Sequence, residues 1–480
     1  MDIEKNKKKQ SLKVIISEAI MVLAVVVTVA ILALVVSGYW VNSDFKVEQN
    51  GMLQISSVPT GANVNIDGEA SSWLQRTNTS KILSSGEHTV TLSKDGYDTW
   101  SKTINVPEGL LYRLHYPRLF WQQREPKNVQ TVTGATYATI SPDGERLLLA
   151  NGTTEWQLID LTSDTITPKK LNVADCFTDI SLADGATVGV FSGKIADADW
   201  DHDSNHVLFK VETATGSTEW VLMDVGNVKN SFNLTKEFGA DFTKVEILDN
   251  SSTNLLVVRG GNLHRIDVPG KAISAVLVNE ITDFDHYENE VVFAAANHSG
   301  ATTSVSSGTN NAPYMVGLLK IGDGRIVSLE TTEVAPRVAI SKFYDDMYIT
   351  TLTGDTLQLY KKTDFVPYAK YQLSFAPREM LVGHNGEFIT MNDGETRIAT
   401  LDMEASAVRE WSVEGKNYDW LDNDMIYTVA GGELVVYDYD GLNRRILAQN
   451  VSSHFPAVIT DNKWLYYFSD DNLIREKIIE

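Results

Sequence analysis

The sequence predicts a mainly β protein in three parts: one N-terminal transmembrane helix, a small β-sandwich, and a β-propeller of eight blades, with seven as the alternative. Three patterns predict it. An apolar run near the N-terminus is long enough to cross a bilayer, alternating segments broken by turns follow it, and the rest of the chain repeats at a spacing of about 40 residues. The predicted boundaries are a cytoplasmic basic tail at 1–14, a transmembrane signal anchor at 15–40, a linker at 41–50, the sandwich at 51–109, a linker at 110–126 and the propeller at 127–480.

The composition argues against a nucleic-acid partner and excludes an intramolecular disulfide bond. The chain has 480 residues and a formal net charge of −22. It therefore lacks the excess of Lys and Arg that neutralises nucleic-acid phosphates, and we expect no nucleic-acid partner. Cys176 is the only cysteine, so no intramolecular disulfide can form. We interpret its side chain as a small buried apolar group rather than a catalytic thiol.

The apolar run predicts an uncleaved membrane anchor. Residues 19–36 are apolar except for Thr28, and the segment through Trp40 has 22 residues, about 33 Å as a helix. Signal-peptide cores of about 7–15 residues are shorter, which disfavours the alternative of a cleaved signal. Because Lys and Arg stay in the cytoplasm, we expect the N-terminus there, the rest outside, and the lipid bilayer as a partner of residues 15–40. The lysines that set this orientation are Lys5, Lys7, Lys8, Lys9 and Lys13.

Short alternating segments after residue 51 predict the β-sandwich. Val64 and Ile66 precede an Asp-Gly turn at Asp67, and Val90 and Leu92 precede another at Asp95-Gly96, the strongest short hairpin signal. The stretches SSVPTGANVNIDG and SSGEHTVTLSKDGYDTW resemble a PEGA domain, with a Thr at the position of the signature Glu. The resemblance implies an envelope-associated spacer or binding module with no catalytic residues.

One pattern recurs from residue 127 onward: an apolar strand, a polar turn, a second apolar strand, a short gap and a third strand. Its first turns begin near residues 141, 201, 248, 286, 344, 384, 421 and 460. The last copy ends after three strands, so we expect residues 128–132 to supply its outer strand and close the ring, which removes open sheet edges. The stretch ISPDGERLLL resembles the repeats of TolB-like and WD40-like propellers, although the Gly-His and Trp-Asp marks of WD40 repeats are absent.

Two insertions interrupt the repeats. Residues 161–194 form a long one that contains Cys176, and residues 297–313 are rich in Ser, Thr, Gly and Asn. The second composition is typical of a flexible surface loop. Loops on one rim of a propeller often carry a binding surface, but a solvated excursion is the simpler interpretation of both.

The sequence assigns no catalytic, cofactor-binding or metal-binding residue. Nucleophile elbows, zinc motifs and phosphate loops are absent. The strongest metal candidate is the acidic run at residues 197–205, whose alternating carboxylates could bind Ca²⁺. The run lacks the glycine and the final glutamate of a calcium loop and falls on an ordinary repeat turn, so a solvated turn is the preferred interpretation.

We expect a non-enzymatic cell-envelope protein whose propeller binds a ligand, an envelope protein or a glycan outside the membrane. Two alternatives stay open: a propeller glycan lyase or hydrolase with acids in the central channel, and a propeller subunit of an export or assembly complex. Propellers host many functions, so the fold does not choose among them. Two close, partly buried acids with a positive neighbour in the channel would favour the enzyme.

Overall fold

The structure is a computed structural model that divides into two compact units, Met1–Gln123 and Arg124–Glu480. The residues that it describes are 2–36, 38–41, 47–70, 76–248, 252–296, 312–363, 365–383, 385–415 and 418–480.

The first unit begins with a helix, Asp2–Val36, that contains a 21-residue apolar stretch, Ile16–Val36, long enough to cross a membrane. The side chains of this stretch are exposed rather than packed against protein. The helix ends before Trp40, where the sequence placed the end of the transmembrane segment. Gly38 has a φ of 82°, and its N–H donates to the Val35 carbonyl, a left-handed conformation that terminates helices. A two-stranded sheet follows, made of Tyr39–Val41 and Val47–Gln49.

Two sheets form the predicted sandwich. One has the order Thr79–Leu83, Gly51–Ile55, Leu111–Leu114, and the other Glu69–Ala70, Asn63–Ile66, Gly86–Ser93, Trp100–Val106. Leu53, Ile55, Leu92 and Trp100 are completely buried between them. Leu111–Leu114, which the sequence placed in a linker at 110–126, instead pairs in parallel with Gly51–Ile55. The linker assignment was wrong there because sequence patterns do not show which strand edge a following segment will join.

Four-stranded antiparallel sheets build the second unit, and there are eight among the described residues. The first four comprise Ala135–Ile140, Arg146–Asn151, Glu155–Asp160 and Lys169–Asn172; Lys194–Trp200, His206–Glu212, Thr218–Asp224 and Phe232–Asn233; Phe242–Ile247, Asn254–Arg259, Asn262–Asp267 and Ala272–Ile273; and Ile281–Tyr287, Glu290–Ala296, Tyr314–Lys320 and Arg325–Thr332. Within each of these four sheets, strands that follow one another in the chain pair with one another, as in the blades of a propeller.

The remaining sheets continue the pattern. The fifth to seventh comprise Arg337–Phe343, Asp346–Thr353, Thr356–Lys361 and Pro367–Gln372; Glu379–Val382, Phe388–Asn392, Arg397–Asp402 and Ala407–Ser412; and Tyr418–Trp420, Met425–Ala430, Glu433–Asp438 and Arg445–Gln449. The eighth comprises Val458–Thr460, Trp464–Ser469, Asn472–Lys477 and Lys127–Thr131. The sheets match the eight repeats of the sequence, while the number of blades in the ring stays a prediction.

The eighth sheet takes its outer strand from the start of the unit. Lys127–Thr131 pairs antiparallel with Asn472–Lys477, which confirms the prediction that residues 128–132 supply the outer strand of the last repeat. The apolar residues of this sheet and the first sheet form one core. Its fully or nearly fully buried members include Leu147, Leu149, Ile159, Phe468 and Leu473.

The insertion at 161–194 is more structured than a solvated excursion. Lys169–Asn172 is the fourth strand of the first sheet, and Ile180–Ser181 pairs with Val190–Phe191. Cys176 is 4% exposed and packs in the core between the first and second sheets, as the sequence predicted. A 3₁₀ turn at Val228–Asn230 and a short helix at Leu234–Phe238 flank the outer strand of the second sheet. Residues 297–311 of the other insertion lie outside the described residues.

Candidate functional site

The first strand named above for each sheet is its innermost one, as the contact between Ile281–Tyr287 and Arg337–Phe343 of adjacent sheets indicates. A cavity of about 660 Å³ lies between the innermost strands and adjoining turns of the seventh, eighth, first and second sheets. We call it the channel cavity. Among the described residues that line it, no side chain is a Lys, Arg or His, so its electrostatic potential is strongly negative. The acidic lining residues are Asp143, Asp197, Asp199, Asp419, Asp422 and Asp461.

Tyr137 lies among these carboxylates. Burial raises the pKa of its hydroxyl to about 12, and the negative charges of Asp197 and Asp419 act in the same direction. The hydroxyl is therefore protonated at neutral pH and is available as a hydrogen-bond donor. Trp200 and Trp420 also line the cavity. Both indoles are largely buried, at 7% and 8% exposed, so the carboxylates dominate the chemistry of the cavity surface.

Asp199 is the most perturbed acid of the channel cavity. Its side chain is exposed to the channel, yet the protein around the carboxyl and the charges of Glu246 and Asp197 raise its pKa to about 6. A cation that approaches stabilises the ionised form of a carboxyl group in such a negative environment. Asp197 is less constrained, with one oxygen accepting a hydrogen bond from the adjacent Ala198 N–H at 2.9 Å.

A second group of charged side chains joins the innermost strands of the third and fourth sheets. We call it the inter-sheet cluster: Lys244, Glu246, Asp283, Asp285 and His286. The Lys244 Nζ lies 2.7 Å from one oxygen of Glu246 and 3.7 Å from Asp283. The His286 Nδ1 lies 3.0 Å from the other Glu246 oxygen.

The fold places Asp199, Glu246 and Asp285 at equivalent positions of three consecutive sheets. Each pairs across the strands with an apolar residue that packs into the core between its own sheet and the next one. Cross-strand partners share a face of a sheet, so all three carboxylates point toward the following sheet. Their partners are Leu208, Leu256 and Val292.

The inter-sheet cluster stabilises the inner edge of the propeller. Asp283 and Asp285 accept hydrogen bonds from the backbone N–H groups of Val338 and Ile340, at 3.1 and 2.9 Å. Both N–H groups belong to the innermost strand of the fifth sheet. An innermost strand has one edge without a neighbouring strand, and its unpaired N–H groups need acceptors. The two aspartates supply them.

Every carboxylate oxygen of the inter-sheet cluster has a partner. The two oxygens of Glu246 face Lys244 and the ring of His286. Asp285 accepts hydrogen bonds from two backbone N–H groups, that of His286 at 2.8 Å and that of Ile340 in the fifth sheet. Burial opposes ionisation of Glu246, but the hydrogen bond from His286 and the charge of Lys244 outweigh it and lower its pKa. Burial and the charge of Glu246 raise the pKa of Asp285.

Glu246, Asp285 and His286 have ligand atoms close enough to hold one metal ion. The donor set does not fit an ion well, because the Lys244 ammonium lies 2.7 Å from Glu246 and supplies the positive charge itself. A metal would have to displace both the ammonium and the hydrogen bond from His286. The arrangement is complete as an ion-pair and hydrogen-bond network.

The structure divides the acidic run that was the sequence's calcium candidate. Asp197 and Asp199 line the channel cavity, whereas Asp201 folds back on its own turn. Its carboxylate accepts hydrogen bonds from the N–H groups of Asn205 and His206 and lies 2.8 Å from the His206 Nδ1. The four aspartates of the run therefore do not converge on one point.

Sequence reasoning missed the inter-sheet cluster, although a signal was present. Charged residues alternate with one apolar residue at the same place in three repeats: Asp197-Ala198-Asp199, Lys244-Val245-Glu246 and Asp283-Phe284-Asp285. Innermost strands of neighbouring blades lie side by side, so charges at one repeat position meet in space. Aligning the repeats by this position would have brought the three pairs together.

Comparisons with solved structures gave distant similarities, and no curated protein sequence matches the chain. The C-terminal WD40 domain of Sif2 is 11% identical over 74% of this chain and 98% of its own, with a TM-score of 0.47. An oligogalacturonate lyase in complex with manganese is 14% identical over 58% of this chain and 88% of its own, with a TM-score of 0.38. A chain of the mitotic checkpoint complex is 10% identical over 74% of this chain and 92% of its own, with a TM-score of 0.34. Residues 50–117 match the family model of the PEGA domain, which confirms the resemblance of the small β-sandwich to that family.

Proposed function

We propose that the protein is a non-enzymatic binding platform of the cell envelope, anchored in the cell membrane by a single helix, with the propeller outside. The channel cavity receives a cationic group of its partner. One observation carries the proposal: six aspartates line this cavity, with no basic side chain among the described lining residues. Such a site attracts cations and repels anions.

The chemistry of the cavity favours a basic protein segment as the ligand. A Lys or Arg side chain would offset the repulsion between Asp197 and Asp199, which contributes to the raised pKa of Asp199. A neutral glycan gains nothing from the negative potential, and an acidic glycan is repelled by it. Between the two partner classes predicted from the sequence, an envelope protein is therefore preferred.

The anchor belongs to the same proposal. The helix Ile16–Val36 is long enough to cross a membrane, and the lysines before it favour a cytoplasmic N-terminus. The PEGA domain match at residues 50–117 and the propeller both follow the helix. In this orientation the channel cavity is presented to partners outside the cell.

An enzyme is the second candidate, and a specific observation favours it. Glu246 and Asp285 are close, partly buried acids with Lys244 and His286 beside them, the arrangement expected of a hydrolase or lyase in the channel. Against this, all their carboxylate oxygens bind groups of the protein itself. A nucleophile or general acid needs at least one oxygen directed at substrate.

Binding of a basic probe tests the proposal. We expect the full-length protein in detergent micelles to bind an oligolysine peptide in calorimetry, and added salt to weaken the binding. The double variant Asp197→Asn and Asp199→Asn should lose most of the affinity. Asp184→Asn, which removes one exposed charge from a loop outside the cavity, is the control and should keep it.

Equal binding by all three proteins would show that the net charge, rather than the channel cavity, attracts the peptide, and would reject the proposed site. Turnover of a glycan library that is abolished by Glu246→Gln would favour the enzyme instead. Isolation of a stable multi-protein complex with the full-length chain would favour the third possibility, a subunit of an export or assembly machine.

A further inference from the structure

An apolar row crosses the outer face of the three-stranded sheet in the first unit. Met52, on the central strand, is the direct cross-strand partner of Ile82 on one side and Leu111 on the other. Their exposed fractions are 43%, 68% and 37%, and the neighbouring Leu110 is 63% exposed. Scattered apolar side chains are normal on protein surfaces, but three at paired positions across one sheet, with the exposed Leu110 next to one of them in the chain, indicate an interaction site.

This apolar row lies at the end of the sheet nearest the membrane helix. The Asn50 N–H donates to the Gly38 carbonyl at 2.8 Å, just beyond the end of the helix. Met52 follows Asn50 by two residues, about 7 Å along a strand. Its own N–H donates to the Leu110 carbonyl at 2.9 Å, which brings Leu110 to the same end.

Polarity changes along the strands in the direction away from the helix. The next outward-facing position on the central strand is Gln54, and its cross-strand partners are Ser80 and Arg113. The row near the helix is therefore wholly apolar and the row beyond it wholly polar. A surface that enters the boundary between acyl chains and headgroups requires this gradient.

The lengths agree with a membrane as the occupant. The 21 residues of Ile16–Val36 span about 31 Å as a helix, close to the hydrocarbon thickness of about 30 Å. Gly38 then lies at the outer boundary of the hydrocarbon, and the headgroup layer extends about 5–8 Å further on each side. The apolar row begins within this layer.

We infer that the apolar row of Met52, Ile82, Leu110 and Leu111 rests on the outer surface of the bilayer and holds the sandwich against it. The inference rests on the proposed membrane anchoring. The sandwich is then a fixed base at the membrane, docked by its own side chains as well as tethered by the helix.

Fluorescence in proteoliposomes tests this docking. The full-length variant Ile82→Cys, labelled with the environment-sensitive dye NBD, should show blue-shifted emission that nitroxide-labelled phospholipids quench and aqueous iodide does not. The matched control is Thr103→Cys, exposed on the outer face of the other sheet of the sandwich, which should be quenched by iodide. Cys176 does not compete for the label, because it is buried and burial raises its pKa to about 11.

Three outcomes overturn the inference, and they are distinguishable. If the protein resists carbonate extraction but iodide quenches both positions equally, the anchor stands and the docking is wrong. If carbonate releases the protein from the vesicles, the proposed anchoring fails and the docking with it. If shielding at position 82 increases with the protein-to-lipid ratio, a second copy of the chain covers the row instead of the membrane.

Discussion

The hydroxyl of Tyr466 donates a hydrogen bond of 2.6 Å to the carbonyl of Leu161, so the last sheet of the propeller is joined to the first. Arg475 adds two more bonds across the same boundary, to the carbonyls of Ser163 and Asp164. With the shared apolar core, these bonds make the boundary a continuous interface between sheets that are formed by opposite ends of the second unit.

Deleting residues 127–131 should destabilise the propeller by several kcal/mol. The deletion removes the outer strand of the eighth sheet, and each lost backbone hydrogen bond contributes about 0.5–1.5 kcal/mol. The control is a deletion of equal length at the exposed residues 183–187, which should change stability little. Thermal unfolding of the full-length protein in detergent measures both, and equal small shifts would contradict closure through this strand.

Replacing Glu246 with Gln should cost about 1–3 kcal/mol of stability. The lowered pKa of Glu246 means that the folded protein favours its ionised form, so a neutral amide leaves the partly buried Lys244 without its nearest counter-charge. Glu212→Gln is the matched control, because Glu212 also pairs with a lysine, Lys194 at 3.1 Å, but is 55% exposed. Chemical denaturation should show less than about 0.5 kcal/mol for the control.

Stability should depend on the ionisation of Asp199 between about pH 4 and 6. Its pKa of about 6 lies above the ordinary 3.8, so the folded state binds a proton more tightly than the unfolded state. The resulting stability is complete below the ordinary pKa and is lost as pH rises through about 6. Asp285 shifts in the same direction.

Asp199→Asn should therefore stabilise the protein at pH 7, by less than about 1 kcal/mol for an exposed group, and have a much smaller effect near pH 4, where the ordinary pKa lies. Melting temperatures of both proteins between about pH 4 and 7 provide the measurement. If the melting temperature of the variant differed from that of the unmodified protein by the same amount at every pH, Asp199 would have an ordinary pKa.

The orientation of the anchor can be tested in intact cells. A protease added outside should cleave sites beyond residue 40 and leave an epitope tag placed before Lys5 intact, because the proposed topology puts that end in the cytoplasm. Permeabilised cells, in which the tag should also be lost, are the control. Cleavage of the tag in intact cells would reverse the proposed topology.

Local patterns predicted the repeats well, because each turn and strand pair is specified within a few residues. The pairing of residues 128–132 with the last repeat was also predictable, since an incomplete last repeat needs a fourth strand. Leu111–Leu114 was not, because its partner Gly51–Ile55 lies some 60 residues earlier and the pairing is parallel. Contacts between sheets, such as Glu246 with His286 at a separation of 40 residues, depend on which faces meet, and single strands do not carry that information.

The pairing of the first strand of the second unit with its last strand also determines when the propeller can be completed during synthesis. Lys127–Thr131 leaves the ribosome long before its partner Asn472–Lys477, because 341 residues separate Thr131 from Asn472. Until that partner emerges, the early strand has no neighbour and the first sheet has no sheet on its other side. The propeller is therefore completed only after Lys477 has been synthesised, and a chain that stops before Asn472 lacks the strand on which this completion depends.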